Sequence, residues 1–173
     1  SERIGVSVKI DHLHVHWEGI RPVFDMTGLE FIPNPNQQTA LIPNSPGLKI
    51  REIRGELSWS SVYHLKPHFN KLQASDAIIQ VVRDKQERLF VAGILAGTGA
   101  DDLDTQNWLF SQNNLELNNA TILWKDFSKS KSDVADLRIE TLALRSGIRT
   151  HELNIGLFSR WHQGKLSLSG KFV

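Results

Sequence analysis

The chain has 173 residues, 40% hydrophobic and 23% charged, with a formal net charge of +1 and no cysteine; that length can bury a substantial core, read as one sheet system. The charge balance, without any Lys/Arg block interleaved with aromatics, excludes a nucleic-acid partner, and the missing cysteines exclude disulfides and thiolate metal sites while leaving either redox compartment open. No stretch approaches the roughly 20 apolar residues that span a bilayer, and residues 1–20 lack the sections of a signal peptide, so any anchor lies outside these residues.

From Ile4 to Phe172 apolar residues recur at every second position, the period of strands with one apolar face. This predicts a mainly β chain: an antiparallel, strongly twisted groove or sandwich-like sheet with one short helix near 102–112. In the first segment Val6, Val8 and Ile10 share one parity and Leu13, Val15 and Trp17 the other, so a β-bulge is expected near Asp11 and His12. The turn from Glu18 to Pro22 leads into a strand to Ile32, where Phe24 and Met26 give way to Leu29 and Phe31 across Gly28; a second bulge is expected there. Residues 33–47 hold four of the six prolines and read as a loop, with at most a short extended piece at Thr39 to Ile42.

Leu48 to Trp59 returns to strand character, and Ser60 to Pro67 reads as a helical turn or loop capped by Ser60 or Ser61. Further strands follow at Phe69 to Val82 and Leu89 to Leu95, joined by the turn Arg83 to Glu87. The helix predicted over 102–112 takes its cap from Asp101 or Asp102 and its apolar stripe from Leu103, Trp108 and Leu109. Strands resume at Leu115 to Asp126, Val134 to Arg145, His151 to Arg160 and Lys165 to Val173.

The sequence also echoes itself. Leu72 to Val82 aligns without gaps on Leu115 to Lys125, placing Leu on Leu, Ala on Ala and Ile on Ile, as if one supersecondary unit were used twice within a single β module over 1–173. Stacked β units leave unpaired edges that a neighbouring module can extend.

Few residues suggest chemistry. His12, His14 and His16 alternate along one strand and share a face, as ligands of zinc or another transition metal can, but only Asp11 is near in sequence to complete a site, so a solvated outer face is the favoured reading. The glycines between Gly93 and Gly99 match no nucleotide fingerprint, no serine sits in a nucleophile elbow, and no carboxylate pair has acid–base spacing. The chain therefore reads as non-enzymatic, with no catalytic residues and no cofactor.

Ile4 to Ile10, Trp17 to Pro22, Leu57 to Ser61, Val82 to Asp84 with Leu89 to Gly93, Trp108 to Gln112 and Ala120 to Asp126, taken in that order, resemble the segment that follows the membrane anchor in YhdP-like proteins of the AsmA superfamily. Two places depart from the family's pattern, at Val62 to His64 and at Lys85 to Glu87, and neither touches the alternation. The resemblance implies the N-terminal part of a longer envelope protein of Gram-negative bacteria, periplasmic and held in the inner membrane by an anchor outside this segment. It implies a β-groove that carries phospholipid between the inner and outer membranes, partnered by acyl chains and by the following β modules of the same chain.

The expected groove lining is Leu13, Val15 and Trp17; Leu57 and Trp59; Ile79 and Val81; Ile122 and Trp124; Leu142 and Leu144; Leu153, Ile155 and Leu157; and Leu166 and Leu168. The same alternation fits the core of a closed β-sandwich acting as a protein-interaction or scaffolding module in envelope biogenesis. Trp17, Trp59 and Trp124 each end an alternating run; core packing is the default reading for them, and a sheet margin with one ring edge wet is the alternative.

Overall fold

A computed structural model describes residues 7–32, 46–59, 61, 68–96, 112–128, 135–146, 151–159 and 164–172. Its strands are β1 (Ser7–Lys9), β2 (His12–Glu18), β3 (Arg21–Ile32), β4 (Leu48–Leu57), β5 (Phe69–Arg83), β6 (Leu89–Val91), β7 (Ile94–Leu95), β8 (Asn114–Asp126), β9 (Ala135–Ser146), β10 (His151–Ser159) and β11 (Gly164–Phe172). All belong to one 11-stranded sheet in the order β1-β3-β4-β5-β8-β9-β10-β11, with β2 beside β3 and the β6–β7 hairpin beside β5. The outer columns, β1/β2 and β11, do not pair with each other, so of the two forms the alternation allows the sheet takes the open one. The predicted helix near 102–112 and the loop piece at 39–42 fall almost wholly outside the described residues, as does most of 60–67. Among the described residues no helix is long and apolar enough to cross a membrane.

Every described pairing is antiparallel except β5 with β8, which is parallel. That pairing joins the two echoing segments in the register of their alignment, with Leu72 beside Leu115, Ile79 beside Ile122 and Val82 beside Lys125. Side chains 43 residues apart bond across it: Gln73 Nε2 donates to Glu116 Oε2 at 2.9 Å, Asn113 Nδ2 to Asn70 Oδ1 at 3.3 Å, and Asn119 Nδ2 to Asp76 Oδ1. The Phe69 N–H donates to Gln112 Oε1 at 2.7 Å, which ties the returning chain to the start of β5 through a fully buried amide.

The phase changes in the sequence prove to be one feature. Along the β1/β2 column and in β3, β4, β5, β8 and β9 the apolar spacing of two is broken once by a spacing of three: Ile10 to Leu13, Met26 to Leu29, Ile50 to Ile53, Ala74 to Ala77, Leu117 to Ala120 and Ile139 to Leu142. The breaks lie side by side in a row containing Gly28, Asp76 and Asn119, whose φ angles are +69°, +54° and +52°. A left-handed residue inside a strand bends it and turns the following side chains over. Neither bulge expected in the first two segments inserts a residue, because β1 and β2 meet β3 in one unbroken register and β3 and β4 stay in register across Gly28. A bulge proper occurs in the row only between β9 and β10 among the described strands, where Glu140 is the extra residue between Ile139 and Thr141. The sheet is thus creased along a line crossing its strands, and the apolar side chains stay on one face on both sides of the crease.

Small residues mark close approaches at the crease and beside it. A Cβ on Gly28 would lie 2.0 Å from Asp11 Oδ2, and one on Gly55 would lie 2.1 Å from the Phe24 ring. The segment Leu89 to Leu95, expected as one strand, is a hairpin: Ala92 and Gly93 take φ of +53° and +83°, as a two-residue type I′ turn requires, and fold β7 back on β6.

The turn before β6 is held by Asp84. Burial would raise its carboxyl, but the Arg88 N–H at 2.9 Å, the Arg88 guanidinium at 2.7 Å and the Gln86 N–H at 2.8 Å outweigh that and keep it below the ordinary aspartate value. A depressed folded pKa contributes stability above the unfolded value, lost as pH falls through the folded one. Thermal melts should therefore show a loss below about pH 4 that Asp84→Asn flattens. The crease carries its own expectation. Gly28→Ala should cost about 1–2 kcal/mol in denaturant unfolding, whereas Asn119→Gly, which keeps the left-handed conformation without strain, should cost less than about 1 kcal/mol.

Candidate functional site

The pairing register assigns one face of the sheet to apolar side chains. On β1, β2 and the link between them these are Val8, Ile10, Leu13, Val15 and Trp17; opposite them on β3 lie Phe24 and Met26 before the crease and Leu29 and Phe31 after it. The face continues through Ile53 and Ile50 on β4, Ala74, Ala77, Ile79 and Val81 on β5, and Leu117, Ala120, Ile122 and Trp124 on β8. On β9 it runs through Leu144, Leu142, Ile139 and Leu137, which pair with β8. Ile155 pairs with Leu142 and Leu168, while Leu153, Leu157 and Leu166 occupy backbone positions in register with Leu144, Ile139 and Leu157.

The face is deepest in the middle and most open at the β1/β2 column. Ala77 and Ala120 are 1% exposed and Ile139 6%, packed by Ile50, Ile79, Leu117, Ile122 and Leu142 from both sides of the crease. No second sheet among the described residues covers them, and larger side chains of the same sheet pack against these small ones. The five apolar residues of the β1/β2 column are 41–63% exposed. At about 4.8 Å per strand, the eight columns make a trough roughly 34 Å long across the strands.

Aromatic rings gather at one end of the strands. Trp17 and Trp59 stack with centroids 5.9 Å apart, and Phe24, lying over Gly55, meets Phe69 edge-on at 5.8 Å. Trp17 and Trp59 therefore take the margin alternative, as neighbours, whereas Trp124 lies toward the opposite end of β8. Sequence reasoning missed Val8, Ile10, Phe24, Met26, Ile50, Ala77, Leu117, Ala120 and Ile139 as members of this face. The signal that finds them is the recurrent spacing of three, which marks continuation of the face through the crease.

The reverse face is mostly polar, with Val23 and Val82 buried on it. Lys49 Nζ lies 2.7 Å from Glu30 Oε1, Arg54 bonds Asp25 at 3.1 Å and also Glu18, and Arg21 lies 3.3 Å from Glu56. The Lys49 ammonium holds the Glu30 carboxyl below its ordinary value, and bonds from Asn118 and then Gln73 do the same for Glu116. These exposed pairs contribute little stability each but fix which face meets water. His12, His14 and His16 fall on this side: His14 and His16 stack at 5.3 Å, and His16 lies 3.5 Å from both Glu18 and Asp25. Among the described residues no group of three or more His, Cys, Asp or Glu is arranged to hold a metal ion.

The sheet thus has one long apolar face left open, one mostly polar face and a crease that passes from strand to strand. A family model described as YhdP protein matches residues 1–171. The chain belongs to the YhdP family. This places it in the AsmA-like group, in agreement with the resemblance carried by Trp17 to Pro22, Leu57 to Ser61 and Ala120 to Asp126. No curated protein matches the chain.

The depth profile of the YhdP-family trough separates two kinds of substitution. Val15→Asp, at a side chain 61% exposed, should shift unfolding free energy by less than about 1 kcal/mol. Ile139→Asp, 6% exposed against Ala77 and Ala120, should cost at least about 3 kcal/mol by stranding a carboxylate at the floor. Equal costs in urea titrations of the two variants would contradict the open face.

Proposed function

We propose that the module is a non-enzymatic lipid-binding element of a β-groove that conducts phospholipid between the inner and outer membranes, in line with what its family resemblance implies. The single observation that carries this reading is the continuous apolar face of an open sheet, with its β1/β2 column in water. A soluble chain leaves such a surface exposed at a cost unless something apolar occupies it. An acyl chain suits it: at roughly 0.8 kcal/mol per buried CH2, a 16-carbon chain gains on the order of 10 kcal/mol from a trough that offers no headgroup pocket. Transfer then needs no bond chemistry, only sliding along a face that is apolar from column to column.

In this reading the module is the inner-membrane end of a longer periplasmic protein, anchored by a segment outside residues 1–173. The β11 edge is continued by the next β module of the same chain. Unpaired edge strands are templates for such continuation.

The test is native mass spectrometry with lipid extraction on the module purified from a bacterial envelope. Wild type should carry phospholipid, and folded Val15→Asp and Ile155→Asp variants should carry less. A wild type that is free of lipid and takes up no added fluorescent phospholipid would assign the apolar face to protein packing, as in a scaffolding module.

A further inference from the structure

We propose that the tip formed by Trp17, Ile20 and Trp59 docks the module on the surface of a phospholipid bilayer. The inference rests on the lipid reading above and names the place where the trough meets a membrane. β2 and β3 are joined by two residues, Gly19 and Ile20, and Gly19 alone of the two has a positive φ, +62°, the pattern of a type II′ turn. Such a tight turn gives Ile20 no neighbours to pack on, and it is the most exposed large apolar side chain described, at 75%. Beside it in sequence Trp17 is 63% exposed, and Trp17 stacks on Trp59, itself 44% exposed. Three large apolar groups thus project at one corner of the sheet, on a turn and a strand end.

The chemistry of the corner selects its occupant. Indole has an apolar body and one N–H donor, a combination that favours the headgroup boundary of a bilayer, and an aliphatic side chain at a turn tip can enter the layer below it. The charged groups around the tip are engaged with one another: Arg21 with Glu56, and Arg54 with Glu18 and Asp25. Three carboxylates and two guanidiniums make no basic patch, so the corner matches a zwitterionic surface and gains nothing from anionic lipid. Position supplies the rest. Trp17 continues Leu13 and Val15 along the open edge of the trough, so a bilayer touching the tip also touches the mouth of the apolar face. Acyl chains would then pass from one apolar medium to another without crossing water.

Flotation of the purified module with phosphatidylcholine vesicles, alongside uptake of dispersed fluorescent phospholipid, tests this. Wild type should float at low and high salt, with tryptophan emission quenched by brominated lipid. Ile20→Asp should partition roughly tenfold less, since losing one inserted aliphatic side chain is worth about that factor, while keeping wild-type lipid uptake because Ile20 is not on the trough face. Flotation unchanged in Ile20→Asp would overturn the proposal, as would binding confined to anionic vesicles at low salt. Sedimentation showing that a second copy covers the tip in the presence of vesicles would overturn it too. Failure of uptake in wild type sinks the lipid reading itself, whereas absent flotation with intact uptake sinks the docking site alone.

Discussion

From the β1/β2 column to β9 the main strands of this sheet change the side of their apolar residues in the same row, and the rest of the structure depends on that shared change. A strand that turned over alone would set apolar side chains against the polar side of its neighbours. Turning over together, at Gly28, Arg51, Asp76, Asn119 and Glu140, keeps the backbone register from β3 to β9 and carries one apolar face across a bend, the register slipping in this row only where Glu140 faces β10. Left-handed φ is costly for most residues, and the row uses the types that tolerate it: glycine, aspartate and asparagine. Asn119 and Asp76 also bond each other, so the strained positions share a hydrogen bond.

The bend explains why a single sheet can have something like a floor. In a flat sheet alanines would be open to solvent between taller neighbours, but here Ala77 and Ala120 are closed over by Ile50, Leu117 and Leu142. Away from that floor the apolar face opens toward water, most of all at Val8, Leu13, Val15 and Trp17. A closed sandwich would bury the same residues more completely. The polar face, laced by Arg54, Lys49 and their carboxylates, keeps the sheet from burying its other side against a second one.

The parallel β5–β8 pair has a different origin from its antiparallel neighbours. Two segments that repeat one pattern must lie parallel if like residues are to sit side by side, and the ladder from Asn70/Asn113 to Asp76/Asn119 does this. The left-handed conformation is repeated with the pattern, so the crease passes from β5 to β8 without a change of register. The link from β5 back to β8 begins with the β6–β7 hairpin and ends at Gln112, which anchors it at the start of β5.

Alternation determined most of the strands, because a two-residue period at a half-buried surface leaves a clear trace in composition; Leu13, Val15 and Trp17 were legible as one side of a strand without any structure. The phase changes near Asp11 and Gly28 were legible too, but a single strand cannot reveal whether it has gained a residue or turned over with its neighbours. That is a property of pairing, and only the register supplied it. The echo of Leu72 to Val82 in Leu115 to Lys125 was visible as similarity, yet that the two copies lie side by side in one parallel pair was set by the tertiary structure. The hairpin inside Leu89 to Leu95 was hidden because Ala92 adopts a conformation its residue type does not favour. Whether the apolar residues closed a core or lined an open face was decided by tertiary structure alone, since local sequence sets the side a residue takes and only the arrangement of strands sets what that side meets.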